Sequence, residues 1–254
     1  MIQVQDLTKT FGSSTVVKHC TWEACDGQIT GFIGPNGAGK TTHLKMITGI
    51  LRPTSGTAKI NGFDIAAQPI QAKEQIGFVS DSPDHFLRLK GIEYLNFIAD
   101  MYGVSSRDRA AFIEDVAPRF DMDTALDKTI LSYSHGMRQK MMVMGALIHR
   151  PSVWILDEPM LGLDPQSAFE LKKMMREHAD AGNSVLFSTH VLEVAEKLCD
   201  KVVIIRKGEI QFEGSLDSLK AKYEPGASLE EIFLRLTGEH QAKDGAAEGA
   251  GGNE

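Results

Sequence analysis

The stretch GPNGAGKT, residues 34–41, decides the fold, and it combines three glycines with a closing lysine and threonine. It follows an apolar run, ITGFI (29–33), that is typical of a buried strand, and TTHLKMIT (41–48) continues from it with the composition of a helix. Glycines let successive backbone N–H groups turn inward, and the start of a helix adds a favourable dipole for an anion. A strand, a G-x-x-x-x-G-K-[ST] loop and a helix in this order predict a binding site for nucleotide phosphates.

The residues of this loop have predicted roles in holding a nucleotide and its metal. We expect Lys40 to reach the β- and γ-phosphates and the Thr41 hydroxyl to ligate Mg²⁺. The backbone of the loop and of the first helical residues is predicted to surround the phosphates. The predicted cofactor-binding residues of this segment are Gly34, Pro35, Asn36, Gly37, Ala38, Gly39, Lys40, Thr41 and Thr42.

A second segment, VWILDE (153–158), supplies two carboxylates. Its four apolar residues predict a buried strand that ends at Asp157 and Glu158. Phosphoryl transfer to water needs a metal that neutralises developing charge and a group that orients or deprotonates the water. Asp157 suits the metal and Glu158 suits the water. The alternative is a pair of exposed carboxylates at a strand end with no chemical role.

Apolar runs alternate with helical stretches along most of the chain, and this alternation predicts an α/β fold with a P-loop NTPase core and a mainly parallel sheet. Residues 1–30 and 56–66 indicate short strands of an N-terminal antiparallel β edge, and residues 88–149 carry helix signals that indicate an inserted α-helical subdomain. The predicted organisation is a domain over 1–236, with its α/β core at 1–87 and 150–236, followed by a disordered tail at 237–254.

Composition argues against several classes of protein. The chain has 254 residues, is 42% hydrophobic and 24% charged, and carries a formal net charge of −7. These values are typical of a globular protein, and the negative charge disfavours a nucleic-acid partner. Three cysteines without metal-ligand spacing indicate reduced thiols in the cytoplasm. No apolar run approaches the roughly 18 to 20 residues of a membrane span, so any membrane role is expected to come through a partner.

Five motifs follow one another in the order GPNGAGKTT, YSHGMRQK, WILDEP, LGLDP and STH. In this order they resemble the nucleotide-binding subunit of an ABC (ATP-binding cassette) transporter, over residues 1 to about 236. The resemblance implies an ATPase with ATP and Mg²⁺ as cofactors that powers transport through a separate polytopic membrane subunit. It implies a peripheral protein at the cytoplasmic face of the membrane, in a homodimer or a heterodimer that encloses ATP. Within the family, the chain resembles the bacterial exporter-type (ABC-2-like) branch.

The resemblance also implies roles for residues outside the phosphate loop. Phe11 matches the aromatic residue that stacks on adenine, although a core aromatic in an edge strand is the alternative. Asp164 matches a residue that links the two active sites of the dimer, and it also suits a helix N-cap. His190 matches the histidine that contacts the γ-phosphate, which makes it a predicted catalytic residue beside Lys40 and Glu158.

The motif YSHGMRQK matches the family signature L-S-G-G-Q, which serves the ATP held by the other subunit. Ser134, Gly136 and Met137 are therefore predicted to bind nucleotide across the dimer. His135 replaces the first glycine, and its side chain could lie near the nucleotide or point to solvent. Asp81 stands where the family often has glutamine, and its carboxylate could approach Mg²⁺.

Two other functions compete with a transport ATPase. Ser134 beside His135 could indicate a serine hydrolase, but the G-x-S-x-G elbow is missing and an adjacent histidine cannot easily serve as the base. A non-transport ABC ATPase is the second alternative, and the single cassette without coiled-coil heptads disfavours it. The methionine-rich segment at 140–149 has helical spacing, which predicts core packing and not a ligand surface.

Overall fold

The computed structural model describes residues 1–223 and 228–237. The strands are β1 (Ile2–Phe11), β2 (Ser14–Ala24), β3 (Ile29–Ile33), β4 (Ser55–Ile60), β5 (Phe63–Asp64), β6 (Ile76–Val79), β7 (Val153–Leu156), β8 (Ser184–Thr189), β9 (Lys201–Arg206) and β10 (Glu209–Ser215). The helices are α1 (Lys40–Ile47), α2 (Pro69–Glu74), α3 (Gly91–Met101), α4 (Ser106–Arg119), α5 (His135–Leu147), α6 (Pro165–Asp180), α7 (Leu192–Leu198), α8 (Leu216–Lys220) and α9 (Leu229–Thr237). The tail predicted to be disordered begins at residue 237, and its residues 238–254 lie outside the described part of the chain.

A six-stranded sheet in the order β10-β9-β3-β8-β7-β6 carries the site. Its strands β9, β3, β8, β7 and β6 run parallel, and β10 returns antiparallel to β9. Strands β3, β7 and β8 are buried along their whole length, as their apolar sequences predict. Because parallel strands end at one edge, the segments that follow β3, β6, β7 and β8 meet there, which is where ligands bind in open α/β sheets.

The N-terminal strands form a second sheet, which is antiparallel in the order β2-β1-β4-β5. A turn at residues 61–62 joins β4 to β5, and its Asn61 and Gly62 have left-handed φ of 49° and 85°. A buried ring cluster joins this sheet to α1. The Trp22 indole N–H donates to His43 Nε2 at 2.8 Å, and Phe32 of β3 packs against both rings.

Helices α3, α4 and α5 lie between β6 and β7 in the chain, together with a 3₁₀ helix at Ile130–Ser132. The prediction that the methionine-rich segment packs in the core is confirmed, because Met141, Met142 and Met144 are at most 6% exposed. Burial of this face fixes α5 against the sheet, since interiors are close-packed. The start of α5 therefore has a defined position relative to the strand ends.

The N-cap predicted at Asp164 is present at the start of helix α6. Pro165 occupies the first helical position, and Gly182 follows with a left-handed φ of 86°. In the described part of the chain, no helix combines the length and the apolar character needed to cross a membrane.

Candidate active site

An open cavity of about 570 Å³ lies at the carboxyl edge of the six-stranded sheet. It collects residues that are far apart in sequence but follow neighbouring strands. Its lining comprises Val16, Asn36, Gly37, Gly39, Lys40, Thr41, Thr42, Asp81, Glu158, Leu161 and His190. The structure thus brings together the predicted phosphate loop and both predicted catalytic partners of Lys40.

The loop between β3 and α1 depends on its glycines. Gly37 and Gly39 have φ of 77° and 103°, a region in which side chains are strained. A Cβ on Gly34 would lie 2.5 Å from the Ile205 carbonyl oxygen, so only glycine fits there. The loop therefore passes tightly against β9 before α1 begins at Lys40, and the free N–H groups of the first helical turn are available to an anion.

The Lys40 side chain folds back onto the phosphate loop and is only 7% exposed. Its Nζ donates to the carbonyl oxygens of Gly34 at 2.8 Å and Pro35 at 3.3 Å. The same ammonium lies 3.3 Å from Glu158 Oε1. A buried lysine held between carbonyl oxygens and a carboxylate is a preorganised site for phosphate oxygens.

Glu158 is the centre of a three-residue contact. Its Oε1 faces Lys40 and its Oε2 lies 3.0 Å from His190 Nδ1. Its backbone is left-handed, with φ of 48°, and its N–H donates to Ser188 Oγ at 3.0 Å. A non-glycine residue held in this conformation by its surroundings is a mark of functional sites. The alternative of an exposed carboxylate is wrong, since the Glu158 side chain is only 18% exposed.

Asp157 is completely buried at the end of β7. Its Oδ1 accepts from Ser188 Oγ at 2.5 Å, and its Oδ2 has no hydrogen-bond partner among the described residues. Burial raises the pKa of this carboxyl, and the nearby Asp81 and Glu158 charges raise it further. The Ser188 and Thr41 hydroxyls act in the opposite direction and lower that pKa.

These features fit a bound Mg²⁺. A buried carboxylate oxygen without a partner is costly unless a cation or donor meets it, and the Thr41 hydroxyl acts on the same carboxylate. Within the described residues, no group of three or more histidine, cysteine, aspartate or glutamate side chains forms a protein-only metal site. Mg²⁺ fits this arrangement, since it usually takes one or two carboxylates together with substrate phosphates and water.

Asp81 lies at the same edge but in a different environment. It follows β6, lines the cavity and is exposed, and its Oδ1 accepts from Ser80 Oγ at 3.1 Å. The negative charge of Asp81 is close enough to Asp157 to contribute to the raised pKa of that carboxyl. The aspartate in place of the family's usual glutamine therefore adds negative charge beside the predicted metal position.

The signature residues do not line this cavity. Ser134 is exposed and caps α5, with its Oγ accepting from the Met137 N–H at 3.2 Å. The His135 ring lies against Gly162, since a Cβ placed on Gly162 would be 2.4 Å from its Nδ1, and the bond recorded for Ser134 Oγ comes from the Met137 N–H. Ser134 therefore lacks a base, and the serine hydrolase alternative is wrong.

Asp164 joins α6 to α5. It accepts from the Ser167 N–H at 2.9 Å and from Ser167 Oγ at 2.6 Å, and it pairs with Lys140 Nζ at 3.2 Å. The hydrogen bonds from Ser167 hold the pKa of Asp164 far below its usual range, and the Lys140 ammonium lowers this pKa further. Asp164 therefore stays ionised as the N-cap of α6.

Phe11 ends β1 with its ring 49% exposed and with Lys9 Nζ 5.0 Å from the ring centroid. The alternative of a core aromatic is therefore wrong. Phe11 does not line the cavity, whereas Val16 across the same hairpin does.

Sequence reasoning missed Val16, Leu161 and Ser188. Ser188 and Leu161 each had a signal as the first residue of a quoted motif, STH and LGLDP, whereas Val16 had none.

The family model described as "ABC transporter" matches residues 17–161, which is more than half of the chain. The chain belongs to the ABC transporter family. Relatives include the ABC-type transporter ATP-binding protein EcsA of Bacillus subtilis, 34% identical over 94% of this chain and 97% of that protein. The daunorubicin resistance ATP-binding protein DrrA3 of Streptomyces coeruleorubidus is 31% identical over 94% of this chain and 75% of that protein.

Solved structures agree with this assignment. A structure described as the ATP-binding subunit of an ABC transporter superposes with a TM-score of 0.89 at 33% identity, over 93% of this chain and 99% of that one. The cassette MJ0796, solved as a dimer with ADP and phosphate, shares the fold with a TM-score of 0.76 at 20% identity, over 85% of this chain and 99% of that one. Subunits of this family bind and hydrolyse ATP with Mg²⁺, dimerise and work with transmembrane partners, and this chain is one of them.

Proposed function

We propose that the chain is the ATPase subunit of an exporter-type transporter whose cargo is selected by a separate membrane protein. The observation that carries the proposal is the contact of Glu158 with both Lys40 and His190, beside the buried Asp157. This arrangement places an ammonium for phosphate, a carboxylate for water and a second carboxylate for metal at one edge of the sheet. A resistance ATP-binding protein among the relatives supports the exporter branch.

Binding begins at the phosphate loop in this proposal. Residues 34–42 surround the phosphates through backbone N–H groups, and Lys40 exchanges its bonds to Gly34 and Glu158 for bonds to phosphate oxygens. Phe11 offers its exposed ring to the adenine base from the end of β1, and Val16 borders the cavity on the same side. The nucleotide is therefore held at both ends.

Asp157 and Thr41 would hold Mg²⁺, with Asp81 near enough to add a ligand directly or through water. When bound, the metal neutralises charge that develops on the phosphates. Glu158 accepts a proton from the attacking water at Oε2 or orients that water. His190 holds the same Oε2 through Nδ1 and so fixes the direction of the carboxylate.

The exposed signature turn completes a second subunit's site in this proposal. Ser134, Gly136 and Met137 form the start of α5, where a hydroxyl and free N–H groups suit phosphate oxygens. They do not line the chain's own cavity, so their ligand is the nucleotide of the opposite subunit. Asp164 follows the Glu158 loop and faces the same dimer interface. The dimer is either homomeric or formed with a second ATPase chain.

In this proposal the chain is a peripheral subunit at the cytoplasmic face of the membrane, where it binds a polytopic membrane protein. ATP closes the dimer because the closed state binds ATP more tightly, and hydrolysis reopens it. The partner converts this cycle into movement of a substrate. No nucleic acid takes part.

Phosphate release by the Glu158→Gln variant tests the proposal. Glutamine keeps the size of the side chain and removes the carboxylate, so hydrolysis should fall roughly 100-fold or more while ATP still binds. Glu209→Gln is the matched control, because that carboxylate lies on the surface with Lys18. Brisk phosphate release by Glu158→Gln would remove Glu158 as the base.

A further inference from the structure

The first two residues of α5 rest on the turn at Gly162, which belongs to the loop Glu158–Asp164. A Cβ on Gly162 would lie 2.4 Å from His135 Nδ1, and a Cβ on Gly136 would lie 2.7 Å from the Gly162 carbonyl oxygen. Gly162 itself has a left-handed φ of 77°. The His135 ring therefore covers the face of this turn that a side chain would otherwise occupy.

The same helix holds the end of the loop. Lys140 is buried, pairs with Asp164 at 3.2 Å, and donates to the Phe120 carbonyl oxygen at 3.2 Å. The beginning of the loop is held by the sheet, since Ser188 Oγ accepts from the Glu158 N–H. Between these two ends, the His135 side chain of α5 lies against the turn at Gly162.

We propose that His135 is a positioning residue that holds the Gly162 turn, so that Glu158 and the signature turn at Ser134 keep a fixed relation. The inference rests on the proposed function, in which Glu158 serves the chain's own nucleotide and Ser134 serves the partner's. Contact between packed groups transmits displacement because interiors do not deform continuously. His135 thus acts through the loop and touches neither nucleotide.

The competing role is a direct contact between His135 and a phosphate of the opposite subunit. That role would depend on the charge or donor capacity of the ring, and a lysine could replace it. The positioning role depends on a compact group against Gly162. An asparagine can supply that group, because its amide occupies nearly the place of the imidazole Nδ1.

A double-mutant cycle on the full chain tests the contact. His135→Gly removes the ring and Gly162→Ala displaces it, so the double variant should hydrolyse ATP no more slowly than Gly162→Ala alone. If the two sites were independent, the losses in hydrolysis rate would multiply. A double variant that hydrolyses ATP about threefold or more slowly than Gly162→Ala would therefore overturn the proposal. His19→Gly replaces His135→Gly in the control cycle, because His19 lies on β2 and pairs with Asp6.

A substitution series separates the two roles. His135→Asn should keep kcat within about twofold of wild type, while His135→Gly and His135→Lys should lower kcat several-fold at an unchanged KM for ATP. Retention by lysine with loss by asparagine would overturn the positioning role. Thermal unfolding of wild type, His135→Gly, Gly162→Ala and the double variant measures the same contact independently of ATP hydrolysis. Coupled Tm shifts in a chain that failed to hydrolyse ATP would support the contact and contradict only the proposed function.

Discussion

The Lys40 ammonium lies 3.3 Å from Glu158 Oε1, and it also bonds two carbonyl oxygens of its own loop. One lysine therefore joins the loop that follows β3 to Glu158, which lies two residues beyond the end of β7. In the proposed function this contact couples phosphate binding to water activation, because a phosphate that draws Lys40 away would leave Glu158 free to bind water.

Lys40→Ala should weaken ATP binding roughly 30-fold or more, since it removes a nearly buried charge from the phosphate position. Nucleotide titration measures the change. Lys45→Ala is the matched control on the same helix, because Lys45 lies in the last turn of α1, away from the loop. Unchanged affinity of the Lys40 variant would contradict the phosphate-loop role.

Asp157→Asn should remove the stimulation of ATP binding by Mg²⁺ and lower hydrolysis roughly 10- to 100-fold. The asparagine keeps the bond to Ser188 but loses the charge that would face the metal. ATP titrations with and without Mg²⁺ measure the effect. Asp123→Asn, at an exposed position, should behave as wild type. A metal response that survives in Asp157→Asn would place the ion elsewhere.

Ser134→Ala and Lys40→Ala should each be inactive, and mixing the two proteins should restore hydrolysis. A mixed dimer has one site that combines an intact phosphate loop with an intact signature, so random exchange should return about a quarter of wild-type activity. Phosphate release after subunit exchange measures the gain. Each variant exchanged with itself is the control. No gain on mixing would mean that each chain uses its own signature.

Acid should destabilise the protein partly through His149. Its ring stacks on Tyr102 at 3.7 Å and its Nε2 donates to the Ile76 carbonyl oxygen, while Nδ1 is buried without a partner in the described residues. Burial lowers the pKa of His149 to about 4. The unfolded chain, with the ordinary pKa of about 6.5, binds the proton first, so stability is present above pH 6.5 and falls as the pH drops toward 4.

His149→Phe should flatten this pH dependence by up to about one proton between pH 6.5 and 4, because phenylalanine keeps the stack but does not titrate. Urea unfolding at several pH values measures the slope. Tyr102→Phe is the control, since it keeps the other half of the stack and leaves His149 in place. An unchanged slope in His149→Phe would show that other groups take up the proton.

Sequence patterns predicted the parts of the site that depend on local chemistry. The glycine loop, the end of β7 and the cap at Asp164 follow from neighbours in the chain, so their positions were readable in the sequence. The contacts of Ser188 with Glu158 and Asp157, and the place of Val16 beside the cavity, were not readable, because they depend on which strands lie side by side. The side chain of His135 also needed the structure, since both solvent and nucleotide were open to it until Gly162 was placed beside it.

The left-handed backbone of Glu158 has an evolutionary consequence. Its φ of 48° lies in the left-handed region, which glycine, asparagine and aspartate adopt at a lower energetic cost than glutamate. Replacement of Glu158 by one of these residues relieves backbone strain while it removes or shortens the carboxylate. A duplicated copy of such a subunit can therefore drift into a stable, non-hydrolysing paralogue by one substitution, and an asymmetric pair with one silent site is an accessible descendant of a symmetric one.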